Sequence, residues 1–60
     1  MLKLSKTDNS NVTLYLTLIN GINMLTGNPI KALKFDSVKA ANNYKNNLNH
    51  PNFKGLQVSL

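Results

Sequence analysis

The stretch NVTLYLTLINGINML, residues 11 to 25, constrains this chain more than any other. Val12, Leu14, Leu16 and Leu18 alternate with Thr13, Tyr15, Thr17 and Ile19. A period of two sorts side chains onto separate faces only in a pleated strand, and these residue types favour strands. The leucine face reads as core, with Val12 included; the other face is mixed, with Tyr15 and Ile19 among threonines. Asn20-Gly21 then interrupts the pattern. A two-residue type I′ hairpin needs positive φ at both central residues, which Asn and Gly tolerate best, so the chain is expected to fold back there and return as Ile22 to Leu25.

A second reversal signal follows at once in Thr26-Gly27-Asn28-Pro29. Gly27 accepts unusual φ, and Pro29 has no N–H to give a ladder. IKALKF, residues 30 to 35, reads as the next strand, with Leu33 and Phe35 inward and Lys34 outward. A rival arrangement joins residues 12 to 25 and 30 to 35 in one long hairpin, with Asn20-Gly21 as a bulge. Upstream, MLKLSK repeats the alternation, with Leu2 and Leu4 inward and Lys3 outward. TDNSN, residues 7 to 11, supplies turn chemistry for a first hairpin, because Asp, Asn and Ser side chains bond back to nearby backbone.

FDSVKAANNYKNNLNHP, residues 35 to 51, is the single helical pattern. Asp36 is the expected N-cap, with Phe35 stapling onto Ala40. Ala40, Ala41, Tyr44 and Leu48 share one face at helical spacing, and Lys39, Asn42, Asn43 and Asn46 share the opposite one. Asn49 would close the helix in a left-handed cap before Pro51. GLQVSL then forms a last strand with Leu56, Val58 and Leu60 inward. The expected fold class is α+β: a small, mostly antiparallel sheet of four to five strands with one helix on one face, in the order β-β-β-β-α-β, the second and third strands being open to merger. All 60 residues make a single domain.

Size and composition limit what holds such a fold together. A chain of 60 residues buries about 60% of the surface its unfolded form exposes. It has no cysteine, so neither disulfide nor thiolate metal ligand can brace it. Hydrophobic residues at 42% are too many for a disordered tail. Lys3 and Lys6 precede an apolar stretch, but threonines interrupt it and no small-residue cleavage site follows. No run approaches the ~18 apolar residues of a membrane span. A soluble, cytoplasmic protein, complete from Met1, is the expectation. No membrane partner is expected.

The chemistry-bearing inventory is thin. Asp8 and Asp36 are the only side-chain carboxylates, assigned to a turn and a helix cap, and His50 is the only histidine. An acid–base pair and a metal-ligand set both lack members, and no glycine turn has phosphate-loop spacing. The chain reads as non-enzymatic, with no cofactor and no metal. Tyr44 belongs to the core, and Phe53 plugs its end.

Seven lysines, no arginine and a net charge of +5 favour anionic partners. Without arginine, bidentate reading of guanine edges is absent, which points away from sequence-specific duplex recognition. The asparagines, including NNYKNNLN at 42 to 49, are what an AT-rich coding sequence produces. The surface that combines charge, an aromatic and hydrogen-bonding groups is the sheet face away from the helix: Lys3, Thr13, Tyr15, Thr17, Lys34 and Gln57, with Ser59 beside them. Such a platform suits single strands, on which bases stack. The bland alternative is a solvated sheet face whose Thr and Tyr reflect β propensity alone.

LTGNPIKALKFDSVKAANNY, a turn, a strand, then Phe-x-Ser-x-x-x-Ala before a helix, resembles the arm-type DNA-binding domains of tyrosine recombinases. That resemblance implies a three-stranded sheet with a following helix, docking the sheet face into DNA. It covers 20 of 60 residues. The family's strands are usually rich in Lys and Arg, and the final LQVSL strand here is an addition, so no residue is carried over. Two function classes stand. The first is a nucleic-acid-binding accessory protein using the outer sheet face. The second is a protein-interaction or regulatory module, of phage or mobile-element origin, acting through a strand edge, the Tyr15/Ile19 patch or a homodimer.

Overall fold

A computed structural model describes all 60 residues. It is an α+β fold: strands β1 (Lys3–Thr7), β2 (Thr13–Ile19), β3 (Ile22–Thr26) and β4 (Gln57–Ser59), with one helix α1 (Val38–Asn46). Two short 3-10 turns, Pro29–Lys31 and Pro51–Phe53, flank the helical segment. The four strands form one antiparallel sheet in the order β3-β2-β1-β4. The helix packs over β1 and β4.

The Asn-Gly hairpin forms as expected. Asn20 and Gly21 have φ of 52° and 79°, the left-handed pair that a type I′ turn demands. Ile19 and Ile22 close the hairpin, and the ladder runs without a bulge to Tyr15 opposite Thr26. The first hairpin turns on Asp8, whose Oδ1 accepts the N–H groups of Ser10 and Val12, while Asn11 takes φ of 62°.

Register fixes the faces, because directly opposed residues share a side of the sheet. Leu4 pairs with Val58, and Leu16 with Leu25. Leu4 and Leu16 are wholly buried with Ala41 of the helix and Leu56. Leu33, Phe35, Tyr44, Leu48 and Phe53 pack around them. Tyr15, lying between Leu14 and Leu16, faces away from the helix, as expected. Tyr44 rests against Phe35 with ring centroids 5.5 Å apart, and its hydroxyl accepts a hydrogen bond from Asn23 Nδ2 at 2.7 Å. A core tyrosine thus satisfies its polar end on the neighbouring strand.

Residues 30 to 35 are not a strand. Asn28 Oδ1 accepts the Ile30 N–H, Pro29 sits at the first position, and a 3-10 turn results. The chain then runs extended into the gap beyond Ser5 and Tyr15, where the β1–β2 ladder ends. There Leu33 N–H donates to Leu16 O at 2.9 Å, and Phe35 and Leu2 exchange both backbone bonds at 2.8 Å. The fragment fastens β1 to β2 at their splayed end instead of adding a strand to the sheet.

Further expectations change at the helix ends and along the inner face. The N-cap is Ser37, whose Oγ accepts the Ala40 N–H at 3.1 Å, and not Asp36. Phe35 is held by its bridge to Leu2, one residue further out than a staple requires. The helix ends at Asn47 in right-handed geometry, so Asn49 is not its cap. Val12, Leu18 and Leu60 are exposed: Val12 precedes the strand, Leu60 follows β4, and Leu18 lies on the inner face away from β1 and β4, over which the helix packs.

Gly21 and Gly27 separate conformational cost from crowding, since an added Cβ meets nothing within 4 Å at either. Gly21 has positive φ and Gly27 does not. Gly21→Ala should lower unfolding free energy by about 1–2 kcal/mol. Gly27→Ala should be neutral or raise it by about 0.4–1 kcal/mol. Urea denaturation of the two variants checks the contrast.

Candidate nucleic-acid interface on the outer sheet face

Four residues form a row across the entire sheet: Gln57 beside Ser5, Ser5 beside Tyr15, Tyr15 beside Thr26. Lys3 opposite Ser59, and Thr7 opposite Thr13, flank this row on the same face. Every one of these side chains is polar, and Tyr15 is the single aromatic among them. Ser5 and Ser59 join their hydroxyls at 2.9 Å, which stiffens the β1–β4 side. A polar groove of about 540 Å³ continues from this face, lined by Ser5, Thr7, Gln57, Ser59 and Lys54 among others. Lys6 also borders it, but Lys6 lies opposite Leu14 on the inner face and its Nζ donates to Asn52 O. Asp8 also borders the groove, and its Oδ1 is held by the turn it organises.

Of the six side chains expected on this platform, four are open to it. Lys3, Thr13, Tyr15 and Gln57 lie on the outer face by register and are partly or fully exposed. Thr17 has the expected orientation but is only 3% exposed, because the Pro29–Lys31 turn lies over it. Its Oγ1 donates to Lys31 O at 2.6 Å. Lys34 is not on a strand. Its Nζ donates to Ala32 O at 2.8 Å, Pro29 O at 2.9 Å and Ile30 O at 3.4 Å. Its charge still adds to the local field, but its three donors are occupied by the 3-10 turn it closes.

Ser5, Thr7 and Thr26 belong to the face and were absent from the sequence expectation. The alternation of MLKLSK carried the signal for Ser5, since Leu4 inward places both neighbours outward. Thr26 could be placed only once the β2–β3 register was known.

Beyond Thr17 the outer face changes character. Ile19, Ile22 and Met24 lie there, 46%, 64% and 46% exposed. Elsewhere the candidates for chemistry are engaged in local structure. His50 Nδ1 accepts the Asn52 N–H at 3.1 Å, capping the second 3-10 turn, and its ring meets Phe53 edge-on. No three His, Cys, Asp or Glu side chains come together. No buried side-chain nitrogen or oxygen lacks a partner. No helix is long and apolar enough to cross a membrane.

No protein-family model matches the chain, and no curated protein or solved structure is significantly similar to it. The resemblance to recombinase arm-binding domains depended on a strand at residues 30 to 35, which does not form.

The covered threonine offers a direct check on this division of the face. Thr17→Val removes the donor to a part-buried carbonyl and should cost about 1–2 kcal/mol. Thr13→Val, on the open part of the same strand, should stay within about 0.5 kcal/mol. Thermal or urea unfolding of both variants measures the difference.

Proposed function

We propose that this protein is a small non-catalytic accessory that binds single-stranded nucleic acid on the outer sheet face. The observation that carries this reading is the row Gln57–Ser5–Tyr15–Thr26, which surrounds one outward aromatic ring with hydrogen-bonding groups. A base stacks on Tyr15, while Ser5, Gln57 and Thr26 offer donors and acceptors to its edges or to the sugar. Stacking of this kind contributes about 1–3 kcal/mol per base and tolerates any sequence, because every base has a π face. Lys3 sits on the face and Lys54 at the adjoining groove, where they attract the phosphate backbone. Lysine serves this purpose as a point charge, without the fork that reads base edges.

The net charge of +5 supports the same reading by drawing a polyanion toward the surface from a distance. Two of the sequence-derived contacts are withdrawn from it: Thr17 and Lys34 act on the 3-10 turn. The catalytic alternative has little support, since Asp8 and His50 both serve as caps for local turns.

Titration of isotope-labelled protein with short single-stranded and duplex oligonucleotides at two salt concentrations tests the proposal. Amide shifts are expected at Ser5, Tyr15, Thr26 and Gln57, stronger with single strands and weakened by salt as counterion release requires. Tyr15→Ala should reduce affinity by about tenfold or more. Absence of shifts, or shifts confined to Lys39 and Asn43 on the helix, would overturn it.

A further inference from the structure

β3 ends the sheet on one side with its outer backbone edge unpaired. Ile22, Met24 and Thr26 lie opposite Ile19, Thr17 and Tyr15. In a two-residue hairpin the closing pair exchanges its backbone bonds, so Ile22, Met24 and Thr26 direct their N–H and C=O groups toward β2. Asn23 and Leu25 therefore direct theirs outward, where nothing pairs with them.

Natural edge strands are blunted by lysine, proline, a bulge or shortness. β4 has three residues and follows Lys54 and Gly55. β3 has five residues, INMLT, with no charge, no proline and a regular register. The absence of charge extends much further: from Asn9 through Ile30 no side chain is charged, in a chain whose net charge is +5. Every lysine lies outside the β2–β3 hairpin. The one long open edge is thus also the part of the molecule where a second copy meets the least electrostatic repulsion.

We propose that this edge pairs with β3 of a second copy of the chain, antiparallel about a two-fold axis at Met24. In that register Asn23 and the second copy's Leu25 exchange two backbone hydrogen bonds, and Leu25 and the second copy's Asn23 exchange two more. On the outer face Met24 meets its own counterpart, with Ile22 alongside, which covers side chains that are 46% and 64% exposed in the single chain. On the inner face the second copy's Leu25 falls opposite Asn23, and an open groove of about 370 Å³ follows the edge itself, lined by Ile22, Asn23, Met24, Leu25, Asn52 and Phe53. The product is a continuous eight-stranded sheet. This inference goes beyond nucleic-acid binding and does not depend on it.

The test needs no ligand. Sedimentation equilibrium over a concentration series, with amide hydrogen exchange in parallel, should give twice the 6.6 kDa chain mass at high concentration. It should also show slowed exchange at Asn23 and Leu25. Met24→Lys places two like charges against each other at the axis and should raise the dissociation constant about tenfold or more. Asn43→Lys, adding the same charge on the exposed helix face, should leave it unchanged. The amide spectrum of each variant verifies that the fold persists. A monomer throughout the series, a dimer indifferent to Met24→Lys, or protection at Val58 of the β4 edge in place of Asn23 and Leu25 would overturn the proposal.

Discussion

Leu4 and Leu16, one in each central strand, are the only large side chains with no measurable exposure, and the direction in which they point determines both faces of the sheet. Because side chains alternate, two leucines locked under the helix oblige Ser5 and Tyr15 to stand on the opposite side. A register slip by one residue would bury the tyrosine and expose the leucines, at a cost of about 1.5–3 kcal/mol for each large apolar side chain. With only six of 60 residues buried, the fold has little reserve to absorb such a slip. The platform around Tyr15 is therefore as well determined as the core beneath it.

A core this small also has to be fastened at its margins, and polar contacts do that work. Tyr44 ties the helix to Asn23 of the edge strand, although the helix body packs over β1 and β4. Leu33 and Phe35 bond to Leu16 and Leu2 where those two strands part. Thr17 holds the 3-10 turn against the outer face by donating to Lys31 O, and Lys34 closes that turn on itself by donating to the carbonyls of Pro29, Ile30 and Ala32. These contacts divide the outer face in two. On one side of the turn the surface is polar with a single aromatic; on the other it is apolar and without charge.

Much of this was legible from residues alone, because the signals were local. Alternation gave β2 and the inward phase of Leu16, Asn20-Gly21 gave the hairpin, and Ala41 and Tyr44 gave the helix side that packs inward, with Leu48 reaching the core from just beyond the helix end. What the sequence concealed was competition between adequate local choices. Asp36 and Ser37 are both good caps, and the bridge from Phe35 to Leu2 accompanies a helix that begins one residue later. IKALKF alternates plausibly as a strand, yet Asn28 and Pro29 commit its first half to a 3-10 turn before any ladder can extend through it. For the candidate site, Lys3, Thr13, Tyr15 and Gln57 followed from phase, whereas the covering of Thr17 and the occupied donors of Lys34 depend on where a distant turn lands. No periodicity encodes that.

The distribution of lysine connects the two proposals. A two-fold axis through Met24 stands perpendicular to the sheet, so both outer faces of a paired sheet look the same way. Tyr15 lies one strand in from the edge and opposite Thr26, two residues along from the axis. Strand spacing and rise then place the two tyrosines about 20 Å apart across a shared surface. Charge kept off the hairpin is what lets the edges approach, while charge kept on β1, the groove beside β4 and the helix remains on the flanks. A flexible polyanion crossing such a surface would meet two aromatic positions at a span that a single chain cannot offer. Occupying both at once raises avidity without any new contact, through effective concentration. The two surfaces of the outer face are thus compatible in one assembly, because the turn that separates them leaves the aromatic side open and the edge side free to pair.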